Sequence, residues 1–417
     1  MCCGACWGIS ASGTGETAQT KRHRRKGTGE SIMKTKVERD LFLKALAHVS
    51  NVAEKQAVAN ILGNVLLTMD AKGFVRLTAT DGEVELHETI QVPIEAAGET
   101  SVPAQILFQI VDKLPSGAEI ELEGGKADAN GAAEGGSTLH LRCGKAKFQL
   151  QSLPGDDFPF LSGGENGGGH ALRLAGKELR RLLAKTRSAI SDAGPRYYLQ
   201  GVYLHRVEEE GAGTFLRAVA TDGHRLARAQ LPHADLPADL PPAIVPRKAV
   251  HEVLRLLEEN NEAEVEVTFA ANKISFAFPQ QVLTSKLIDG QFPDYDRVIP
   301  KDNDKTARMD VKDFARKIAS VSAISTEAAR AVRLKLSEGM LLLESARSET
   351  GSARDELTVE YGGGDLEIGF NATYLRDIAE QIDGEAVTMD VKDSNSPAVL
   401  RDAEDAHTLY ILMPMRV

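Results

Sequence analysis

Val245-Pro246-Arg247 is followed by apolar residues at Val250, Val253, Leu254 and Leu257. An extended X-Pro step thus runs straight into an amphipathic helix. The same phrase occurs twice more. Val102-Pro103-Ala104 leads to Ile106, Leu107, Ile110, Val111 and Leu114, and Phe370-Asn371-Ala372 leads to Tyr374, Leu375, Ile378, Ala379 and Ile382. Spacings of one, three and four place these side chains on a single buried helix face. Each helix then gives way to a strand-like run: Ala263–Phe269, Glu119–Leu122 and Ala386–Val391.

Working outward, three similar blocks emerge, each roughly 120 to 140 residues long. Each opens with another amphipathic helix: Leu41, Phe42, Ala45, Leu46 and Val49; Leu179, Leu182, Leu183 and Ile190; Phe314, Ala315, Ile318 and Val321. Short β-rich runs follow at Ile61–Met69, Tyr197–His205 and Ala331–Leu336, and each block closes on a strand near a proline, at Phe148–Pro154, Leu283–Pro293 and Leu409–Pro414. The order of helix then several strands, twice per block, predicts an α+β fold of three similar domains, each with two helices and antiparallel sheets. The expected divisions are 33–160, a Gly-rich linker at 161–170, then 171–292 and 293–417. The linker Ser162–Gly169 lacks the preceding strand and following Lys-Ser/Thr that a phosphate-binding loop requires.

Composition narrows the class. The chain has 417 residues, 42% hydrophobic and 26% charged, and a net charge of −11. No apolar run is long enough to span a bilayer. Residues 1–32 read differently, with Cys2, Cys3, Cys6, a Gly/Ser/Thr-rich run and the basic block Lys21-Arg22-His23-Arg24-Arg25-Lys26. They lack the order of a secretory signal, and Cys143 alone cannot complete a zinc site. We read them as a disordered extension or an upstream start, with Met33 as the functional start; a nucleic-acid-binding tail is the other reading. Cys143 on its own suits a reducing cytoplasm. The tail holds five basic and two acidic residues, so the body from Met33 carries −14. Such a body repels DNA on average, and any DNA contact needs its cations gathered on one face.

At this depth the chain resembles a known family, the β subunit of bacterial DNA polymerase III, or sliding clamp, from Met33 to Val417. The resemblance rests on Ile61-Leu62-Gly63-Asn64, Phe158-Pro159, Arg196-Tyr197-Tyr198-Leu199, Thr221-Asp222-Gly223-His224-Arg225-Leu226-Ala227 and Ile244-Val245-Pro246-Arg247-Lys248. It continues through Thr284-Ser285-Lys286-Leu287 and Asp289-Gly290-Gln291-Phe292-Pro293-Asp294-Tyr295, and ends on Met413-Pro414-Met415-Arg416-Val417. It implies the DNA-clamp fold and a head-to-tail homodimer closed into a ring, with helices on the inner wall. It also implies a non-catalytic processivity factor that encircles double-stranded DNA without regard to sequence. The expected partners are a replicative DNA polymerase subunit, an ATP-driven clamp loader, repair polymerases and other clamp-motif proteins. No cofactor, metal or membrane association is expected.

Two sets of residues carry these expectations. On the helix from Lys177 to Ile190, Lys177, Arg180, Arg181, Lys185 and Arg187 fall opposite the Leu179/Leu182/Leu183/Ile190 face, interrupted only by Glu178. This is either a DNA-facing stripe or an ordinary solvated helix face. Further DNA-facing candidates are Lys44, Lys113, Arg247 and Lys248, with the loop positions Lys55 and Gln56; Tyr197 and Tyr198 either face DNA or pack on the sheet. The resemblance places a partner-peptide pocket between the second and third domains. From the second domain and the stretch where blocks two and three meet it draws Arg196, Leu199, Thr221, Gly223, His224, Arg225, Leu226, Pro293, Arg297 and Val298. From the third it adds Asn371, Tyr374, Ile411, Leu412, Met413, Pro414, Met415, Arg416 and Val417. Ala193 and Ala329 depart from the family pattern, the first lacking a polar side chain and the second an aromatic one.

Catalysis finds little support. Asp222 and His224 could form an acid/base pair, yet Thr-Asp-Gly recurs at Thr80-Asp81-Gly82, as a repeated turn would. No nucleophile elbow, zinc-protease motif or paired-cysteine site is present. The competing reading is a multi-domain scaffold that binds proteins and never encircles DNA.

Overall fold

The computed structural model describes residues 33–54, 61–124, 138–161, 169–192, 194–324, 331–345 and 351–416. Residues 1–32, Lys55, Gln56, Ala193, Ala329, Val417 and the middle of the Gly-rich linker lie outside the described residues. Block one runs β1 (Met33–Glu38), α1 (Arg39–Ser50), β2 (Asn64–Met69), β3 (Phe74–Thr80), β4 (Val84–Gln91), β5 (Ile94–Ala96), β6 (Gly98–Pro103), α2 (Ala104–Asp112), β7 (Glu119–Gly124), β8 (Thr138–Cys143) and β9 (Ala146–Gln151). Block two runs β10 (His170–Ala175), α3 (Gly176–Arg187), β11 (Gly201–Glu209), β12 (Gly213–Thr221), β13 (Arg225–Pro232), β14 (Ala243–Pro246), α4 (Arg247–Glu259), β15 (Glu264–Phe269), β16 (Lys273–Ala277) and β17 (Gln281–Lys286). Block three runs β18 (Lys305–Asp310), α5 (Val311–Ser322), β19 (Ala331–Ser337), β20 (Met340–Ser345), β21 (Arg354–Thr358), β22 (Leu366–Asn371), α6 (Ala372–Ala379), β23 (Ala386–Val391), β24 (Ala398–Asp402) and β25 (Thr408–Leu412).

The repeat is finer than the sequence pattern suggests. Strand, helix and three strands make one unit, written twice per block, with β5 as an addition to the first. Two expectations need correction. A strand precedes the opening helix of every block; in β1 the inward residues Met33, Thr35 and Val37 are buried, but the polar Thr35 among them hides the alternation with Lys34, Lys36 and Glu38. The run Tyr197–His205 is not one strand, because Tyr197–Leu199 forms a 3-10 turn before β11.

Local chemistry sets the helix starts. Glu38 caps α1 by accepting from the backbone N–H of Asp40 and Leu41, Asp310 caps α5 through Asp313, and Asn371 caps α6 through Thr373. Pro103 and Pro246 stand immediately before α2 and α4, where a missing N–H costs no intrahelical bond. Helices pair within blocks, α1 with α2, α3 with α4 and α5 with α6.

Sheets do not respect block boundaries. The order β10-β15-β16-β17-β4-β3-β2-β6 fuses half of block two to half of block one, and β14-β11-β12-β13-β25-β24-β23-β18 does the same for blocks two and three. The seams are antiparallel, with Leu283 opposite Leu86 in one and Tyr410 opposite Ala227 in the other. Two half-sheets are left over: β5-β1-β7-β8-β9 in block one and β21-β20-β19-β22 in block three.

Ion pairs reinforce each seam from equivalent positions. His48, tenth residue of α1, sits buried with Nδ1 2.6 Å from Glu88 and Nε2 3.0 Å from Glu259 at the end of α4. Lys185, tenth residue of α3, pairs at 2.7 Å with Asp383, just beyond α6. The sixth residues follow suit: Lys44 reaches Glu259 at 2.7 Å and Arg181 reaches Asp405 at 2.6 Å. A neutral imidazole offers one N–H, so two facing carboxylates hold His48 as imidazolium. Burial works against that charge, but Glu88 and Glu259 outweigh it and lift the pKa above the ordinary histidine value. The contribution to stability is therefore complete below the unfolded pKa and is lost as pH rises through the raised folded one. Calorimetry should show the unfolding temperature falling as pH rises above the ordinary histidine value, with His48→Gln flattening that dependence; His48→Ala, leaving Glu88 buried and unpaired, should cost about 3–5 kcal/mol.

Candidate functional site

The stripe on α3 divides in two. Lys177, Arg180 and Arg187 are exposed, one above another at helical spacing, and make no ion pair among the described residues. Arg181 and Lys185 do not join them, which corrects the sequence expectation. Lys185 is 6% exposed and donates to the Gln381 carbonyl as well as to Asp383. Arg181 donates to both Asp405 oxygens, to Thr408 and to the Gln230 carbonyl. A helical wheel separates polar from apolar; it cannot separate cations facing solvent from cations facing the next domain's acids.

Other candidate cations are mostly engaged. Arg247 pairs with Asp192 and donates to the Ile190 carbonyl, Lys248 spans to Asp81 and the Val52 carbonyl, and Lys113 pairs with its neighbour Asp112. Tyr197 is exposed, whereas Tyr198 packs against the apolar cluster on the sheet's outer face.

The second site lies where β13 meets β25. Thr221-Asp222-Gly223-His224 is a turn: the Thr221 hydroxyl donates to the Arg225 carbonyl at 2.7 Å, and Asp222 Oδ1 accepts from the His224 and Arg225 N–H groups. Gly223 adopts φ +91°, and a Cβ there would lie 2.7 Å from the Arg196 guanidinium. Only glycine both permits this backbone and lets Arg196 lie over the turn to donate to the Asp222 carbonyl. Thr80-Asp81-Gly82 repeats the geometry, with Gly82 at φ +88°. These strings are turns, and Asp222 has no vacant role as a base.

From this turn the C-terminal segment crosses between sheets. Met413 donates its N–H to the His224 carbonyl at 2.9 Å, and Met415 donates to Gly369 on the edge of β22 at 2.8 Å. Pro414, which has no N–H, sits between them. A cleft of about 320 Å³ opens there, lined by His224, Asn371, Tyr374, Met413, Pro414, Met415 and Arg416. Both methionine side chains are substantially exposed, an adaptable apolar surface. Arg225 ties the walls together, pairing with Asp222 at 3.1 Å and Asp377 at 2.6 Å while stacking 4.1 Å above the Tyr374 ring.

Other expected pocket residues are placed around this cleft. Leu199, Leu226 and Ile411 are buried in a separate apolar cluster with Phe292 and Tyr295. Pro293, Arg297 and Val298 are exposed on the segment joining blocks two and three. Leu412 is a correction: strand alternation turns it into the main core, away from any surface. Asp377, Asp383 and Asp405, which fix the junction, gave no pattern in the sequence.

Models of the three domains of the DNA polymerase III beta subunit match this chain in order: the N-terminal domain at residues 33–162, the central domain at 173–294 and the C-terminal domain at 296–416. The chain belongs to the bacterial β sliding clamp family. It is 40% identical over 385 residues to the clamp of Caulobacter vibrioides and 36% identical over 387 residues to that of Escherichia coli, in each case 92% of this chain and 100% of the relative. Among solved structures it is similar to a Bartonella birtlesii clamp bound to griselimycin, with a TM-score of 0.86 and 40% identity over 93% of this chain and all of that one. A Caulobacter crescentus clamp crystallised with polyethylene glycol gives a TM-score of 0.87 at the same identity and coverage. The protein is therefore a DNA sliding clamp, a processivity subunit rather than an enzyme, and the family's partners come with it: DNA, the polymerase and a second copy. The non-encircling scaffold is not favoured. Among the described residues no helix is long and apolar enough to cross a membrane.

Proposed function

We propose that this clamp closes by pairing β9 of one protomer with β21 of its partner, twice per ring, so that the leftover half-sheets become complete. The supporting observation is the repeat of the seams. At both intrachain junctions the last strand of one block pairs with the last strand of another block's other half-sheet, β17 with β4 and β25 with β13. The two members of this set still unpaired are β9 and β21. Chemistry fits the match: Lys147 lies on β9 and Lys145 in the turn before it, while β21 bears Glu356 and Asp355, the latter paired with Lys317. A recess of about 850 Å³ beside β9 is lined by Leu114, Pro115, Cys143, Lys145 and Lys147. By the rule of the other seams, Arg316 and Ser320, the sixth and tenth residues of α5, face that recess on the partner.

Inside the ring, Lys177, Arg180 and Arg187 face the duplex phosphates. Such contacts carry no sequence information, so their energy barely changes as the ring advances. They are screened beyond about 8 Å at physiological salt, which leaves retention to the closed topology. The cleft at Met413–Arg416 receives the short apolar motif of the polymerase, the ATP-driven clamp loader and repair polymerases in turn, within the cytoplasm, and griselimycin is a ready probe for it. Domain divisions at 33–160, 171–292 and 293–417 follow the same reading.

Two experiments test this. Reversing Lys177, Arg180 and Arg187 together to Glu should cut clamp-dependent polymerase processivity at least about fivefold and flatten its salt dependence, leaving the dimer intact; unchanged processivity would remove these residues from the DNA-facing wall. Arg181 is left out because its loss loosens a domain junction. Proline at 148 or at 149, whichever carries the outward N–H, should convert the dimer to folded monomer in sedimentation. Dimer persisting with proline at either place would exclude β9 from the seam.

A further inference from the structure

Arg217 lies in the middle of β12, 3% exposed, with Leu216 and Ala218 as neighbours. Its row across the sheet is polar as well: His205 stands opposite on β11 and Gln230 on β13. Nε and Nη2 donate to Gln230 Oε1 at 2.9 and 2.7 Å, Nη2 also meets the Glu209 carboxylate, and Nη1 donates 3.0 Å to the Tyr295 hydroxyl. An apolar residue of similar volume would serve stability as well or better at such a site. What the arginine adds is direction.

That direction ends on the segment between blocks two and three. The Tyr295 hydroxyl lies 3.0 Å from His205 Nε2, and His205 Nδ1 lies 3.3 Å from the Arg206 carbonyl. Burial and the neighbouring Arg217 charge push His205 down to about 4, so its ring is neutral at physiological pH. The hydrogen-bond order is then fixed: Arg217 donates to Tyr295, Tyr295 to His205 Nε2, and His205 Nδ1–H to the Arg206 carbonyl. Three residues earlier, Phe292 lies flat on Tyr203, centroids 4.8 Å apart and planes within 7°. Phe292 and Tyr295 are buried, whereas Pro293, Arg297 and Val298 between and beyond them are exposed.

We propose that Arg217, acting through Tyr295, is a positioning residue for peptide capture. It pins the segment at Tyr295 onto the outer face of the joint sheet, where Phe292 is stacked on Tyr203, and so presents Pro293, Arg297 and Val298 as a preformed wall beside Leu199, Leu226 and Ile411. This rests on the reading that the junction of blocks two and three takes a short apolar peptide. Arg217 itself touches no ligand; its effect is on the entropy of ordering that wall.

Tyr295→Phe tests it, because the ring keeps its packing and only the hydroxyl relay is lost. Titration calorimetry with griselimycin, and with a peptide from the cognate polymerase's clamp-binding end, should show affinity about tenfold weaker in an intact dimer. Arg217→Met, an apolar replacement of similar length, should weaken binding alike. Val298→Ala should cost less in the Tyr295→Phe background than alone, a coupling that a merely structural tyrosine would not produce. Binding unchanged in both variants, whatever happens to thermal stability, would overturn the positioning role while leaving the pocket. Failure of the unmodified protein to bind either probe would instead overturn the pocket, and this inference with it.

Discussion

An antiparallel half-sheet that ends in the open exposes a row of unsatisfied N–H and C=O groups, and the whole architecture is an answer to that constraint. Each half-sheet takes its first strand from the other unit of its block, as β1 pairs with β7 and β6 with β2, and ends on the last strand of a unit, so that β4, β9, β13, β17, β21 and β25 form six terminal edges. Pairing β17 with β4 and β25 with β13 satisfies four of the six edges within one chain. The remaining two lie at opposite ends, in blocks one and three. The ring-forming homodimer of the clamp family suits a chain whose two remaining edges lie at its two ends.

Electrostatics is arranged around the same seams. The body is acidic, and helix cations are paired across both junctions: Lys44 and His48 at the first, Arg181 and Lys185 at the second. Those left unpaired on α3 are the three that fall on its solvent stripe. This division suits a device that must hold its own domains firmly yet touch DNA weakly. Acidic surface elsewhere discourages DNA from adhering outside the ring.

Much of this was legible in the sequence, for identifiable reasons. The helices of 104–112 and 247–259 announced themselves by apolar spacing and a preceding proline, and their recurrence gave three blocks. The opening strands such as Met33–Glu38 escaped because their outward residues are charged and their inward ones include Thr35. Local periodicity says which face of a helix is polar and nothing about what stands opposite. Lys185 therefore read as solvent-facing, and Leu412 as pocket-lining, until strand alternation turned it inward. The Arg217–Tyr295–His205 relay gave no sequence signal, since its members are 12 to 90 residues apart and meet only once the chain has folded.

The central claim is that retention on DNA is topological. Its most direct test is to load the Met33–Val417 protein onto nicked circular plasmid with a cognate clamp loader, then cut the plasmid once. The ring account predicts that protein stable on the circle is lost on linearisation, by sliding off the ends, at a salt concentration that leaves the circular complex intact. Protein that stays on the linear DNA and departs only when salt is raised would show ordinary electrostatic binding, and would contradict the account.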